Sequence, residues 1–207
     1  MGRKLNDTPQ PFAYPFEPHL RRHGPFGYKD YGKFRPWLRD EFSFRCVFCL
    51  KREAWGVKHA NWDIDHFTPQ TIAPLHALDY QNLLYVCSTC NSRKSIHLVI
   101  DPCKVAFGNC LKVRTDGTIQ ALNEEGELLI EFLRLDDDDH IRFRRLIIGT
   151  VQSLRKTGET ETLLLWLGYP KDLPDLSKPR PPGNTKPEGV NQSHYARRMR
   201  GELPETY

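Results

Sequence analysis

The chain has 207 residues, of which 39% are apolar, which is enough for one domain with a hydrophobic core. The formal charge of +4 and the sequence pI of about 8.7 permit a polyanionic partner but do not require one. No apolar run approaches the roughly 20 residues that cross a membrane, and no N-terminal run is typical of a signal peptide. We therefore expect a cytoplasmic protein without a membrane partner, whose six cysteines stay reduced and bind metal rather than form disulfides.

Residues 1–35 are rich in proline, glycine and aromatic side chains and show neither a helical nor a strand period. This composition predicts an N-terminal arm that packs over the core through its aromatic rings. The arm also carries a set of cations, which either form a strip for phosphate contacts or are merely solvated. They are Arg21, Arg22, Lys29, Lys33 and Arg35.

Residues 36–105 are expected to form the core. The stretch PWLRDEF predicts a short helix, and FRCVFCLKR an aromatic strand and turn. NWDIDHF alternates like a strand, LLYVC is a buried strand, and CSTCNSRKS is a turn that leads into a helix. A proline-containing loop joins the second strand to the third.

Residues 106–169 are expected to form a hairpin and a helical extension. Asp116 and Gly117 supply a tight turn between two alternating runs, and a strand-to-helix transition follows residues 123–135. The four acids at 136–139 fit the start of a helix, and a metal cluster is disfavoured there because consecutive carboxylates do not converge. Residues 170–207 are predicted to be a proline-rich, basic, extended tail that ends in a short helix.

Two C-x-x-C pairs flank the core strands. Cys46 and Cys49 form the first pair, and Cys87 and Cys90 form the second. Each pair makes a tight knuckle, and together the four thiolates are the tetrahedral set that structural zinc prefers. Cys103 and Cys110 lack such partners and are read as ordinary thiols.

The segment between the two knuckles carries polar residues where the strands end. A zinc clip would bring together a strand that ends in Asp65-His66, a strand that begins near Asn82, and a helix that starts near Asn91. This is a β-β-α unit. Asp65 and His66, as strand neighbours, point to opposite faces unless the strand breaks between them. Asp63 is expected to be an exposed strand residue, with a supporting carboxylate as the alternative.

The pattern D-x-D-H-x-x-P-Q, then N-L, then C-x-x-C-N-x-x-K resembles the HNH endonucleases of the ββα-metal class. It is most similar to the HNH domain of RNA-guided CRISPR nucleases and to the zinc-clipped HNH proteins of bacterial restriction and phage defence. The resemblance covers residues 46–95. It implies an α+β fold, in which a small zinc-stapled ββα-metal core carries the arm, the hairpin-plus-helix extension and the tail.

The resemblance also implies roles for the site residues. His66 would be the general base that activates water, and Asp65 with Asn91 would hold one divalent ion, Mg²⁺ or Mn²⁺. Asn82 would brace the loop and orient the His66 ring, and Lys94 would support the site or a phosphate. The implied activity is metal-dependent hydrolysis of phosphodiester bonds, with DNA as the expected substrate and RNA left open.

The sequence leaves several alternatives open. The chain could instead be a non-catalytic zinc module that binds nucleic acid or a partner protein. It could also be a nuclease subunit that a separate targeting or ATPase subunit directs, or a homodimer that cuts both strands. A set of cations could contact the phosphate backbone. The set is Arg52, Arg93, Lys94, Lys104 and Lys112, which Arg197, Arg198 and Arg200 could extend.

Overall fold

The computed structural model describes residues 9–56 and 61–207. This part of the chain forms short helices and three two-stranded antiparallel sheets, which confirms a mixed α+β fold. The helices are α1 (Arg35–Glu41), α2 (Ser88–Lys94), α3 (Glu124–Leu133), α4 (Asp138–Thr157), α5 (Thr160–Leu167) and α6 (His194–Met199). The strands are β1 (Pro25–Phe26), β2 (Trp62–His66), β3 (Leu83–Cys87), β4 (Leu111–Val113), β5 (Ile119–Ala121) and β6 (Gly183–Asn184). None of the described helices is both long and apolar enough to cross a membrane.

The centre of the molecule is the β-β-α unit formed by β2, β3 and α2. β2 and β3 pair antiparallel, and His66 lies opposite Leu83. All five residues of β3 are buried, as expected for a strand that reads as a continuous apolar run. Trp62 stacks on Tyr85 across the pair, with ring centroids 4.9 Å apart. The predicted order of strand, strand and helix is confirmed in this unit.

The first cysteine knuckle differs from the strand predicted at FRCVFCLKR. Only an isolated bridge between Arg45 and Arg52 has strand character, and the chain between them turns back on itself. The amide of Cys46 donates to Lys51 O at 2.8 Å, and Leu50 adopts a positive φ of 59°. The chain turns here instead of continuing as a strand because the sulfur atoms of Cys46 and Cys49 must point to one centre.

The extension contains the predicted hairpin, since β4 pairs with β5 in antiparallel register. Gly117 has a φ of +85°, and a Cβ there would lie 2.6 Å from Ile141 O, so the turn requires glycine. The stretch expected to precede a strand-to-helix transition is itself the helix α3, which Asn123 caps by accepting from Gly126 N. Asp137 caps α4 in the same way, so the acidic run does start a helix.

The tail is packed and not extended. β6 pairs with β1 of the arm, and Leu173 and Leu176 are buried. Asp40 of α1 joins both segments, because its carboxylate accepts from His23 Nε2 at 2.8 Å and from the backbone amide of His194 at 2.8 Å. The prediction of an extended tail was therefore wrong. Proline content alone does not reveal contacts with residues far away in sequence.

Candidate functional site

The four cysteines of the two knuckles meet at one point. Their sulfur atoms all lie within 4.8 Å of one another, and all four residues are buried. The sulfurs of Cys49 and Cys87 are 3.7 Å apart. In a tetrahedral site with zinc–sulfur bonds of about 2.3 Å, neighbouring sulfurs are separated by about 3.8 Å. The cluster therefore fits a zinc ion, as the spacing predicts.

This cluster clips β3 and α2 to the first knuckle. Cys87 ends β3 and Cys90 lies in α2, so a metal bound here would fix the start of the helix relative to the sheet. Cys103 and Cys110 lie outside the cluster, and Cys110 is placed against Ala106 O and Asn123. Within the described part of the chain, no other group of three or more histidine, cysteine or acidic side chains converges in this way.

Asp65 and Lys94 form a buried pair between β2 and α2. Lys94 is 0% exposed and Asp65 only 5%. Lys94 Nζ donates to Asp65 Oδ1 at 3.2 Å and lies 3.1 Å from Oδ2, which accepts no hydrogen bond. Burial raises the pKa of Asp65 to about 6, against the lowering influence of the Lys94 charge. The second carboxylate oxygen is thus enclosed in the fold, with the Lys94 ammonium group as its charged neighbour.

Asp63 and Asn91 form a second contact between the same elements. Asn91 Nδ2 donates to Asp63 Oδ2 at 3.2 Å. Asp63 is half-buried, so the expectation of an exposed strand residue is corrected. Asp63 and Asp65 share one face of β2 because side chains alternate along a strand. The repeat D-x-D, two acids two positions apart, was the signal that could have placed Asp63 in the site.

His66 is the last residue of β2, and its ring is held from outside the strand. The ring atom Nε2 lies 3.0 Å from Ala77 O, a carbonyl that can only accept. The side-chain amide of Gln70 lies 2.9 Å from Nε2 and 3.3 Å from Nδ1. Burial lowers the pKa of His66 below its ordinary value of 6.5, and the nearby Lys94 charge also lowers it. The lowered pKa favours the neutral ring, which carries a lone pair on one nitrogen.

Asn82 holds the loop that positions His66. Its side-chain oxygen accepts from Thr68 N at 2.8 Å, and its Nδ2 donates to Thr68 O and to His76 O. These bonds connect the exit of β2 to the residue just before Ala77. The amide therefore bridges both ends of the loop that supplies the carbonyl contact to the histidine ring.

The β2 strand does not break between Asp65 and His66. Both residues pair with β3, so the carboxylate and the ring start from opposite faces at the strand end. On the α2 side, the carboxylates of Asp63 and Asp65 accept from the Asn91 amide nitrogen and from Lys94, in the two contacts described above. Oxygen donors of this kind fit a hard divalent ion such as Mg²⁺ or Mn²⁺ better than they fit zinc.

The structure corrects part of the expected phosphate-binding set. Arg52 is 1% exposed, donates to Leu167 O at 2.9 Å and lies over the Tyr207 ring, so a nucleic acid cannot reach it. Lys94 is buried in its pair with Asp65 and cannot contact a strand on the surface. Arg93 is largely used within the fold, since it pairs with Asp137 at the start of α4. Burial was not visible from the basic residue types alone.

The remaining cations of that set lie on the surface. Lys104 and Lys112 are exposed, as a phosphate contact requires. In the tail, Arg200 forms an ion pair with Glu202 at 2.7 Å, and Arg198 donates to Pro170 O at 3.1 Å. Arg197 donates to Glu202 O at 3.5 Å. The three tail arginines thus form contacts with other residues of the tail.

Comparison with known proteins gives one distant similarity. No family model matches the chain. The chain is 28% identical over 126 residues to Septu protein PtuB of Bacillus thuringiensis. The match covers 58% of this chain and 46% of PtuB, so the chain spans less than half the length of that curated relative. The chain is thus distantly similar to a Septu protein and carries a buried four-cysteine cluster that fits zinc.

Proposed function

We propose that this protein is a metal-dependent endonuclease of the HNH type that acts in phage defence and hydrolyses phosphodiester bonds of DNA. The observation that carries the proposal is the His66 ring, held at Ala77 O at the end of a β-β-α unit whose helix side holds the carboxylates of Asp63 and Asp65. A purely structural zinc module would need neither a held histidine nor a buried and a half-buried carboxylate near it.

His66 would act as the general base. Its Nε2–H donates to Ala77 O, which fixes the tautomer and leaves the lone pair on Nδ1. A water molecule at Nδ1 could then lose its proton as it attacks phosphorus. The exposed Gln70 amide nitrogen lies 2.9 Å from Nε2 and 3.3 Å from Nδ1, so its side chain would turn away in this tautomer and leave Nδ1 open to that water.

Asp65 and Asn91 would hold the divalent ion, and Asp63 joins them as a supporting carboxylate. The ion would supply charge neutralisation at the scissile phosphate and at the leaving oxygen. Lys94 holds the Asp65 carboxylate in place and also donates to His66 O at 2.8 Å. One lysine thereby connects the metal-binding face to the residue that carries the base. The phosphate would lie over the end of β2, where the two faces meet.

The similarity to Septu protein PtuB supports the assignment to phage defence. We also propose that a separate subunit, such as an ATPase, directs the nuclease to its target. The basis is that the described site residues are suited to act on the phosphate backbone. None of those residues has been assigned a contact with the bases, which carry the sequence information. DNA is preferred over RNA in this proposal, and structural zinc and catalytic Mg²⁺ or Mn²⁺ are the proposed cofactors.

The test is nicking of supercoiled plasmid by purified protein with Mg²⁺, with Mn²⁺ or without a divalent ion. The key variant is His66→Ala, and His76→Ala is the matched control, because His76 lies in the same loop with 60% of its side chain exposed. We expect metal-dependent nicking by the wild type and by His76→Ala, and a loss of about 10²–10⁴-fold in His66→Ala.

Zinc content is measured for every variant so that unfolding is not mistaken for lost chemistry. Equal nicking by zinc-loaded His66→Ala and wild type would sink the assigned role of His66. DNA binding without nicking, both alone and with a co-purified partner, would favour the non-catalytic zinc module instead.

A further inference from the structure

One residue of the N-terminal arm touches the proposed base. The Tyr31 ring meets the His66 ring edge to face, with centroids 5.0 Å apart and planes at 80°. Tyr31 is 41% exposed, so it forms part of the surface beside the site. The arm is thereby placed next to the position where a phosphate would bind.

The segment around Tyr31 is fixed in place. Asp30 accepts from Gly32 N at 2.8 Å and caps the short 3-10 helix Tyr31–Phe34. Phe34 is fully buried and packs against Tyr28 and Tyr80 at centroid distances of 5.0 and 5.6 Å. Side chains on this segment are therefore presented from a supported backbone rather than from a loose arm.

The cations of the arm divide into two groups. Arg21 is buried and donates to Leu83 O at 2.7 Å, and Arg22 lies 3.4 Å from Asp40, so both serve the fold. In the described part of the chain, by contrast, Lys29 and Lys33 are exposed and form no ion pair. Arg35 donates to Trp62 O at 3.0 Å and likewise has no acidic partner there.

The two exposed lysines lie close in sequence to the residue that contacts His66. Lys29 and Lys33 are each two residues from Tyr31, so their Cα atoms lie within about 7.6 Å of its Cα. Asp30 is the one acid between residues 25 and 36, which leaves this stretch with three cations and one anion. A local excess of positive charge beside a proposed phosphodiesterase base is complementary to a nucleic acid backbone.

We propose that Lys29, Tyr31, Lys33 and Arg35, here named the arm edge, form a phosphate-binding edge that holds the nucleic acid backbone over His66. This inference rests on the proposed function and adds the residues that bind the substrate. The partner in this proposal is a nucleic acid. The test below distinguishes this partner from an acidic protein surface.

The experiment measures binding of the full-length protein to a fluorescent DNA duplex of about 30 base pairs, without divalent ions, at several salt concentrations. The variant is Lys29→Ala/Lys33→Ala. The matched control is Lys156→Ala/Lys171→Ala, which removes the same charge from two exposed lysines on α4 and in the tail. Equal zinc content and equal thermal midpoints show that both variants fold.

We expect the arm variant to weaken DNA binding about tenfold and to reduce the slope of log K against log salt by about 1 to 2, because each neutralised phosphate contributes about 0.9 to that slope. The control should change affinity less than twofold. If the arm variant matches the control, or if the wild type binds neither duplex nor single-stranded DNA or RNA, the arm edge is not a nucleic acid surface. Loss of DNA binding in the arm variant, with no nicking by the wild type either alone or with a co-purified partner, would retain the edge and reject the nuclease.

Discussion

Lys94 and Asp65 form an ion pair from which water is almost fully excluded, with Nζ 3.1 Å from Oδ2. A buried ion pair often stabilises a protein no more than well-packed apolar residues of similar volume would. Both residues belong to the motif that resembles HNH nucleases. Their burial therefore supports a functional reason for the pair rather than a stabilising one.

The first prediction concerns the Asp65 carboxylate. Its folded pKa of about 6 lies above the ordinary value of 3.8, so the folded state binds the proton more tightly than the unfolded state. The stabilising contribution of protonated Asp65 is present at low pH and is lost as pH rises from about 4 to about 6. A pKa difference of this size corresponds to a change of about 3 kcal/mol in the free energy of unfolding.

Urea unfolding of the wild type and of Asp65→Asn, without divalent ions, checks this value. The destabilisation caused by Asp65→Asn should be larger at pH 4.5 than at pH 7.5. Asp139→Asn, which changes a carboxylate with an 84% exposed side chain, serves as the control. If the difference in the free energy of unfolding between wild type and Asp65→Asn stays constant across this pH range, the pKa of Asp65 is not raised in the folded state.

The second prediction concerns the pH dependence of nicking. A general base must be neutral, and burial lowers the pKa of His66 below 6.5. Nicking at pH 6.5, where an ordinary histidine would be half protonated, should therefore exceed half of its maximum and should fall at lower pH. Single-turnover rates with Mg²⁺ from pH 5 to 8 give the profile. An acid-side midpoint at 7 or above would argue against His66 as the base.

The third prediction concerns the zinc ligands. Cys90→Ser removes one of four converging sulfurs, so the protein should lose its zinc and unfold at a lower denaturant concentration. Cys103→Ser changes a half-buried thiol outside the cluster and should keep one zinc per chain. Elemental analysis and circular dichroism measure both effects. Full zinc occupancy and unchanged stability in Cys90→Ser would show that Cys90 is not a required zinc ligand.

The fourth prediction concerns Arg144 on α4. It is 2% exposed, donates through Nε to Gly117 O at 2.7 Å, and leaves Nη2 without a partner. It lines a cavity of about 180 Å³ together with Cys49 and Cys87. Four thiolates around one Zn²⁺ leave a net negative charge, which this guanidinium is placed to offset.

Arg144→Met should therefore release zinc to a colorimetric chelator about 10-fold to 100-fold faster than the wild type. Arg145→Met is the control, since the neighbouring arginine is exposed and donates to Asp116 O at 2.9 Å. Equal release rates for both variants would show that the charge of Arg144 does not stabilise the zinc site.

The fifth prediction concerns Asp40, which links the arm to the tail. Burial alone would raise the pKa of Asp40, but hydrogen bonds from His194 and His23 hold it well below its usual range. The stability it contributes is present above pH 4 and lost in more acidic solution. Asp40→Asn should lower the free energy of unfolding by about 3 kcal/mol at pH 7 and expose the tail to protease. Glu188→Gln, an exposed tail substitution, should resist cleavage like the wild type.

The parts of the molecule that sequence predicted are those set by short spacings. C-x-x-C pairs, an alternating strand and a D-G turn act over a few residues, so the zinc cluster, the β-β-α order and the hairpin were all accessible. The site contact between Asp63 and Asn91 and the burial of Arg52 depend on residues that meet across 28 and 115 positions. No local sequence pattern encodes contacts of this kind. The basic side chain of Arg52 wrongly suggested that this residue lies on the surface.

The contact between Asp40 and His194 also bears on how the chain folds as it is made. The two residues are separated by 154 positions, so at typical translation rates of about 5–20 residues per second they meet about 10–30 s after Asp40 is synthesised. During that interval the carboxylate lacks one of its partners and β1 lacks its pairing strand β6. The β1–β6 pairing and the Asp40–His194 contact are therefore late steps, which form only after the residues of the candidate site have been made.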